Sequence, residues 1–203
     1  MGFGGTKARQ TAMLSAAFCA IGILVLAGAN AYETGGGEEG SFRGKESLVP
    51  MLRFFLGNAR GVKGGKPLVL KEALRRARAR VRRGPLVIAT DAVPLVELDE
   101  ALRLRGTRPT LVLHVVDPRE LEPNETGLLR IADPETGRAR RIWMTRSLRR
   151  RYVELARERM HEVEAAVLRA RSAYWRVSTA APFDAVVLEA LRRGLDLRRV
   201  GKR

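Results

Sequence analysis

Arg83-Gly84-Pro85-Leu86-Val87-Ile88-Ala89-Thr90-Asp91 is the stretch whose reading decides the fold. A Gly-Pro pair ends the basic helical pattern before it, a short apolar β-branched run follows, and a hydroxyl and a carboxylate close it. That combination reads as a buried parallel strand. Thr110-Leu111-Val112-Leu113-His114-Val115-Val116-Asp117-Pro118 repeats the design after one intervening helical pattern, and it too ends in an aspartate. Strand, helix, strand is a βαβ unit, and a right-handed crossover puts Asp91 and Asp117 on the same edge of one sheet. Ligands of open α/β folds bind at that carboxyl edge. The expected fold is a doubly wound, mostly parallel α/β sheet.

Between the two strands, Pro94 precedes a helix with Leu95, Leu98 and Leu102 inward, closed by Gly106. Before the first strand, Leu70, Leu74, Ala77 and Val81 line one face of a helix whose other face is arginine. Glycine-rich stretches at Gly61 to Gly65 and Gly35 to Gly40 read as loops, the latter flexible. Leu48, Met51, Leu52, Phe55 and Leu56 recur at helical spacing, so Glu46 to Asn58 is an amphipathic helix. The uncharged run from Gln10 to Tyr32 has three readings. Lys7 and Arg9 ahead of an apolar stretch ending Ala29-Asn30-Ala31 imitate a secretory signal. Its length just reaches that of a membrane span. The third reading is a fully buried helix from Thr6 to about Leu26 with a strand near Ala27 to Thr34.

Beyond the second strand, Leu128 to Ala132 and Arg140 to Met144 flank Asp133-Pro134-Glu135-Thr136-Gly137. Proline presets φ and glycine supplies positive φ, so residues 128–144 form a β-hairpin inserted beyond the parallel sheet. The longest helix follows. Ser147 can cap it, and Leu148, Tyr152, Leu155, Val163, Val167, Ala170 and Tyr174 mark a core-packing stripe. Tyr174 to Thr179 reads as another short strand, and Pro182 opens a last helix, Phe183 to Arg193, with Val186, Val187 and Leu191 inward. Residues 194–203 form a basic tail. A single domain over residues 1–203 is expected, since the chain is long enough for one α/β core and short for two.

Charge sets the chain apart. Lys+Arg 38 against Asp+Glu 22 gives a net +16, which draws attention to anionic partners, either nucleic acid or a membrane surface. The arginines are spread over every expected helix and aromatics make up only 5%, whereas readers of single strands interleave aromatics among basic residues, so nucleic acid is not the expected partner. Cys19 is the one cysteine; it excludes an internal disulfide and reads as an inert core thiol. His114 lies inside a strand and His161 on a helix, without the spacing of a zinc site, and both read as structural. Gly2, Gly4 and Gly5 precede a helix, but no phosphate-loop lysine and hydroxyl follow. No nucleophile elbow, HExxH or triad is present, so no enzyme activity is expected. Thr90-Asp91 is the candidate ligand pair, because an oxygen pair at a strand's carboxyl end reaches a hard cation directly or through water. A single carboxylate holds a divalent ion poorly, and a loop or helix-capping role for Asp91 is the alternative. Asp117, before Pro118, reads as a turn former.

In order of elements the chain is similar to a bacterial family with a von Willebrand factor A-like domain, the domain-of-unknown-function family fifty-eight, found beside MoxR-type AAA+ ATPases. The residues that carry the resemblance are Leu86 to Asp91, Val112 to Pro118 with Glu120-Leu121, the turn Asp133 to Gly137, the helix opening near Tyr152, and Tyr174 to Thr179 followed by Pro182-Phe183. It extends from about Lys66 to Arg193 and favours the buried-helix reading of Thr6 to Leu26. Family members reach this region through a membrane hairpin, a further domain and a strand with an Asp-x-Ser-x-Ser loop that anchors a metal-ion-dependent adhesion site. Met1 to Lys7 looks like the residues just after that loop, so the first strand and its ligands are expected to lie outside this chain. Asp91, with Thr90 beside it, is the matching ligand position, and magnesium or manganese would find an incomplete site there. The resemblance implies a non-catalytic interaction module paired with a MoxR-type ATPase in protein assembly or maturation; a cytoplasmic location is expected, with membrane association as the alternative. Two alternatives stand beside it: a basic α/β domain held at anionic surfaces through its arginines, and a secreted or anchored protein led by residues 7–31.

Overall fold

A computed structural model describes residues 4–26, 28–32, 39–59, 69–81, 84–92, 94–132 and 139–192. The chain runs α1 (Gly4–Leu26), β1 (Gly28–Tyr32), β2 (Glu39–Arg43), a 3-10 turn (Lys45–Ser47), α2 (Leu48–Ala59), α3 (Leu70–Arg80), β3 (Leu86–Thr90), α4 (Leu95–Leu104), β4 (Thr110–Val116), α5 (Pro118–Leu121), β5 (Gly127–Ala132), β6 (Ala139–Met144), α6 (Arg146–Arg169), β7 (Ala173–Ser178) and α7 (Phe183–Arg192). The expected turn at Asp133 to Gly137, the loop at Gly61 to Gly65 and the tail 194–203 lie outside the described residues.

The deciding stretch forms the expected unit. β3, β4 and β7 make a parallel sheet in that order, with Thr90 opposite His114 and His114 opposite Arg176. β4 is the middle strand and is buried on both faces, which is why it reads as a continuous apolar run rather than an alternating one. One face of the sheet presents Ile88 and Val112 to Leu74 of α3, to Leu98, Ala101 and Leu102 of α4, and to Val163 and Val167 of α6. The other presents Leu113, Val115 and Val177 to Leu14 and Phe18 of α1 and Val186 of α7. Helices on both faces make the α/β three-layer arrangement. Gly106, at φ 66, takes the left-handed position that ends α4 and turns the chain into β4.

α1 is the buried helix of the third reading, and its composition follows from its two-sided position. Leu14 and Phe18 face the sheet, while Ala16 and Cys19 face a second cluster with Ala31, Phe42, Met51 and Phe55. A helix covered on two sides has little room for a polar stripe. Small residues let its neighbours approach closely: a Cβ on Gly22 would meet the Ala29 Cβ at 3.2 Å. No described helix is long and apolar enough to cross a membrane.

Three expectations are corrected. Glu39 and Gly40 lie in β2, paired antiparallel with β1, instead of in a flexible loop, because Phe42 has a pocket among Met51, Phe55 and Ala31 that fixes the strand. Thr145, not Ser147, caps α6: the Thr145 hydroxyl accepts from the Leu148 N–H at 3.1 Å, and Ser147 is already in the helix. The apolar stripe of α6 is buried only in its second half. Val163 and Val167 reach the sheet, whereas Leu148, Tyr152 and Leu155 are 44%, 41% and 47% exposed, because α6 starts beyond the sheet's edge beside α5.

Candidate functional site

β3 and β4 end together at the carboxyl edge, and their parallel register sets the layout. With Thr90 opposite His114, Asp91 follows β3 level with Val115, and Asp117 follows β4 two residues farther on. The turn after β3 is tightly built. The Thr90 hydroxyl accepts from the Ala92 N–H at 3.0 Å, closing a local turn, and Ala92 sits buried at φ 59. A non-glycine residue in the left-handed region costs free energy and persists where its surroundings determine it. Here the determinant is His114. Its Nε2 lies 3.1 Å from the Asp91 carbonyl oxygen and its Nδ1 lies 2.9 Å from the Tyr174 hydroxyl. A carbonyl only accepts, so Nε2 carries the hydrogen, and in the neutral ring Nδ1 then accepts from the Tyr174 hydroxyl. Burial pushes Tyr174 up to about 12, which keeps its hydroxyl a donor. The result is an exposed aspartate on a backbone pinned from inside the sheet.

Asp117 is used differently. It is buried, caps α5 through the Arg119 N–H at 3.0 Å, and takes two further bonds from the Arg119 side chain, Nε at 3.1 Å and Nη2 at 2.9 Å. Chiefly that guanidinium bond, against the opposing cost of burial, holds its carboxyl below the ordinary range, with a smaller contribution from the Thr179 hydroxyl. Its oxygens are committed to protein donors. Among the described residues no three of His, Cys, Asp and Glu come together as a metal site would require. Asp91 and Thr90 would supply two of the roughly six oxygens around a magnesium or manganese ion. His161 is exposed on α6 and does not join this edge. Cys19 is buried against the second cluster, where desolvation raises its thiol to about 11, the inert state its surroundings imply.

The sequence reading brings Asp91 and Thr90 to this edge as expected but misses the support beneath them. One signal for it existed: once the two strands are paired, a histidine falls directly across from Thr90. A model of the family described as protein of unknown function DUF58 matches residues 40–162, more than half of the 203. The chain belongs to the DUF58 family. The DUF58 match opens in β2 and closes in α6, so it takes in Thr90, Asp91, His114, Asp117 and the β5–β6 ribbon. No curated protein and no solved structure matches this DUF58 chain.

Proposed function

We propose that this DUF58 chain is a non-catalytic protein-interaction module of von Willebrand factor A type, acting with a MoxR-type AAA+ ATPase in the assembly or maturation of other proteins. One observation carries the reading: an exposed carboxylate stands on a turn whose backbone is bonded by the buried His114, itself bonded to the half-buried Tyr174, at the edge where open α/β sheets meet their ligands. A rigid acidic contact loses little conformational entropy on binding, which suits recognition. The Thr90 hydroxyl is engaged by the Ala92 N–H, which favours a structural role for it in that turn. Among the described residues no group of three His, Cys, Asp or Glu stands at this edge, and the module is taken to bind its partner without a cofactor of its own. The test is titration of a MoxR-type ATPase against the wild-type chain and Asp91→Ala. Binding weakened about tenfold or more, with an unchanged melting temperature, is the expected result. Equal binding by both proteins, or binding by neither, would overturn the proposal.

A further inference from the structure

The β5–β6 ribbon carries features that the fold does not need. Leu128 and Trp143 are directly paired across it and are 62% and 66% exposed. The next pair on the same face is Arg130 opposite Arg141. Like charges directly opposite each other destabilise a sheet, and among the described residues no acidic group pairs with either arginine. On the reverse face Ile131, 52% exposed, is paired with Arg140. The next segment continues the pattern, with Arg146, Arg149 and Arg150 on the first turns of α6. From Gly127 to Val153 the sequence carries eight arginines against two acidic residues, Asp133 and Glu135.

We infer that this ribbon is a docking finger for an anionic lipid surface, with Leu128, Trp143 and Ile131 entering the headgroup region and Arg130, Arg140 and Arg141 meeting lipid phosphates. Charge complementarity requires an anionic occupant, since basic side chains are attracted to acidic lipid headgroups and Trp favours the interface between them and the acyl chains. Geometry selects the lipid over other anions. Exposed apolar and basic groups lie on both faces of a two-stranded ribbon, so a peptide or nucleic acid strand laid on one face leaves the other uncovered. A fluid interface surrounds a finger and covers both. The site stands apart from Asp91 and does not depend on how that residue is used.

The test is flotation of the full chain with vesicles of phosphatidylcholine alone and of phosphatidylcholine with phosphatidylserine, at low and high salt, beside gel-shift binding of a single-stranded oligonucleotide. Expected is binding to phosphatidylserine vesicles only, weakened by salt, and tighter than binding to the oligonucleotide. Arg130→Gln with Arg141→Gln should weaken partitioning about thirtyfold, and Trp143→Ser about tenfold. The wild-type arms decide the matter even if a variant fails to fold. No flotation with phosphatidylserine, partitioning unchanged in both variants, or a preference for the oligonucleotide would overturn the inference.

Discussion

His114 is the residue on which the carboxyl edge depends, because its ring bonds both the Tyr174 hydroxyl and the Asp91 carbonyl. Replacing it by leucine removes its bonds to the Tyr174 hydroxyl and the Asp91 carbonyl, and a loss of about 2–4 kcal/mol in urea unfolding is expected. Tyr174→Phe removes one of these bonds, for about 1–2 kcal/mol. Because both changes break the same chain of bonds, their effects should fall short of additive in a double-mutant cycle; simple additivity would mean the two bonds act independently. Asp117 makes a pH prediction. Its folded carboxyl titrates lower than an unfolded aspartate, so its contribution is fully present above about pH 4 and is lost as pH falls through the folded value. Asp117→Asn should therefore destabilise most at neutral pH, and its melting curve should converge on that of the wild type in acid. A gap that stays constant from neutral to strongly acidic pH would count against the Arg119 pairing. At this scale the sequence shows which residue types stand at the edge. It does not show that one aspartate is spent inside the protein and the other is held out.

Helix α6 separates what periodicity can reveal from what only placement can. Its apolar spacing is real along the whole length, yet only the half that lies over the sheet has anything to bury against. Val167→Ala should cost about 1–3 kcal/mol, whereas Leu155→Gln should change stability by less than about 0.5 kcal/mol. Comparable losses at the two positions in chemical unfolding would contradict the observed burial. The cap shows the same limit at finer grain. Thr145 and Ser147 are both acceptable cap residues by type, and the choice rests on where Met144 leaves the β6 strand. Thr145→Ala should cost about 1 kcal/mol and Ser147→Ala well under half of that. β3, β4 and α4 were legible because breakers, run length and burial all agree there. β2 was not, since a five-residue strand opening on Glu-Gly carries little β propensity, and one buried phenylalanine holds it in place.

In the molecule as a whole α1 is a shared wall. Its Leu14 side closes the cluster over the parallel sheet, and its Cys19 side closes the cluster formed with α2, β1 and β2. The uniform apolar character that leaves three readings open in the sequence accords with that position, which only tertiary contact reveals. If one helix serves both clusters, damage on one side should be felt on the other. Leu14 is fully buried, so Leu14→Ala should cost about 3–4 kcal/mol. Cys19 offers an independent readout, because a buried thiol raised to about 11 reacts with a maleimide only when the structure around it opens. Where opening is fast and reversible, the labelling rate follows the open population, and a loss of about 3 kcal/mol should raise it roughly a hundredfold. Leu14→Ala should thus accelerate Cys19 labelling by the factor that its unfolding free energy dictates, although the two side chains face different clusters. A large loss of stability with unchanged labelling would mean that the α2 side opens on its own, and the helix would then be a boundary between two units.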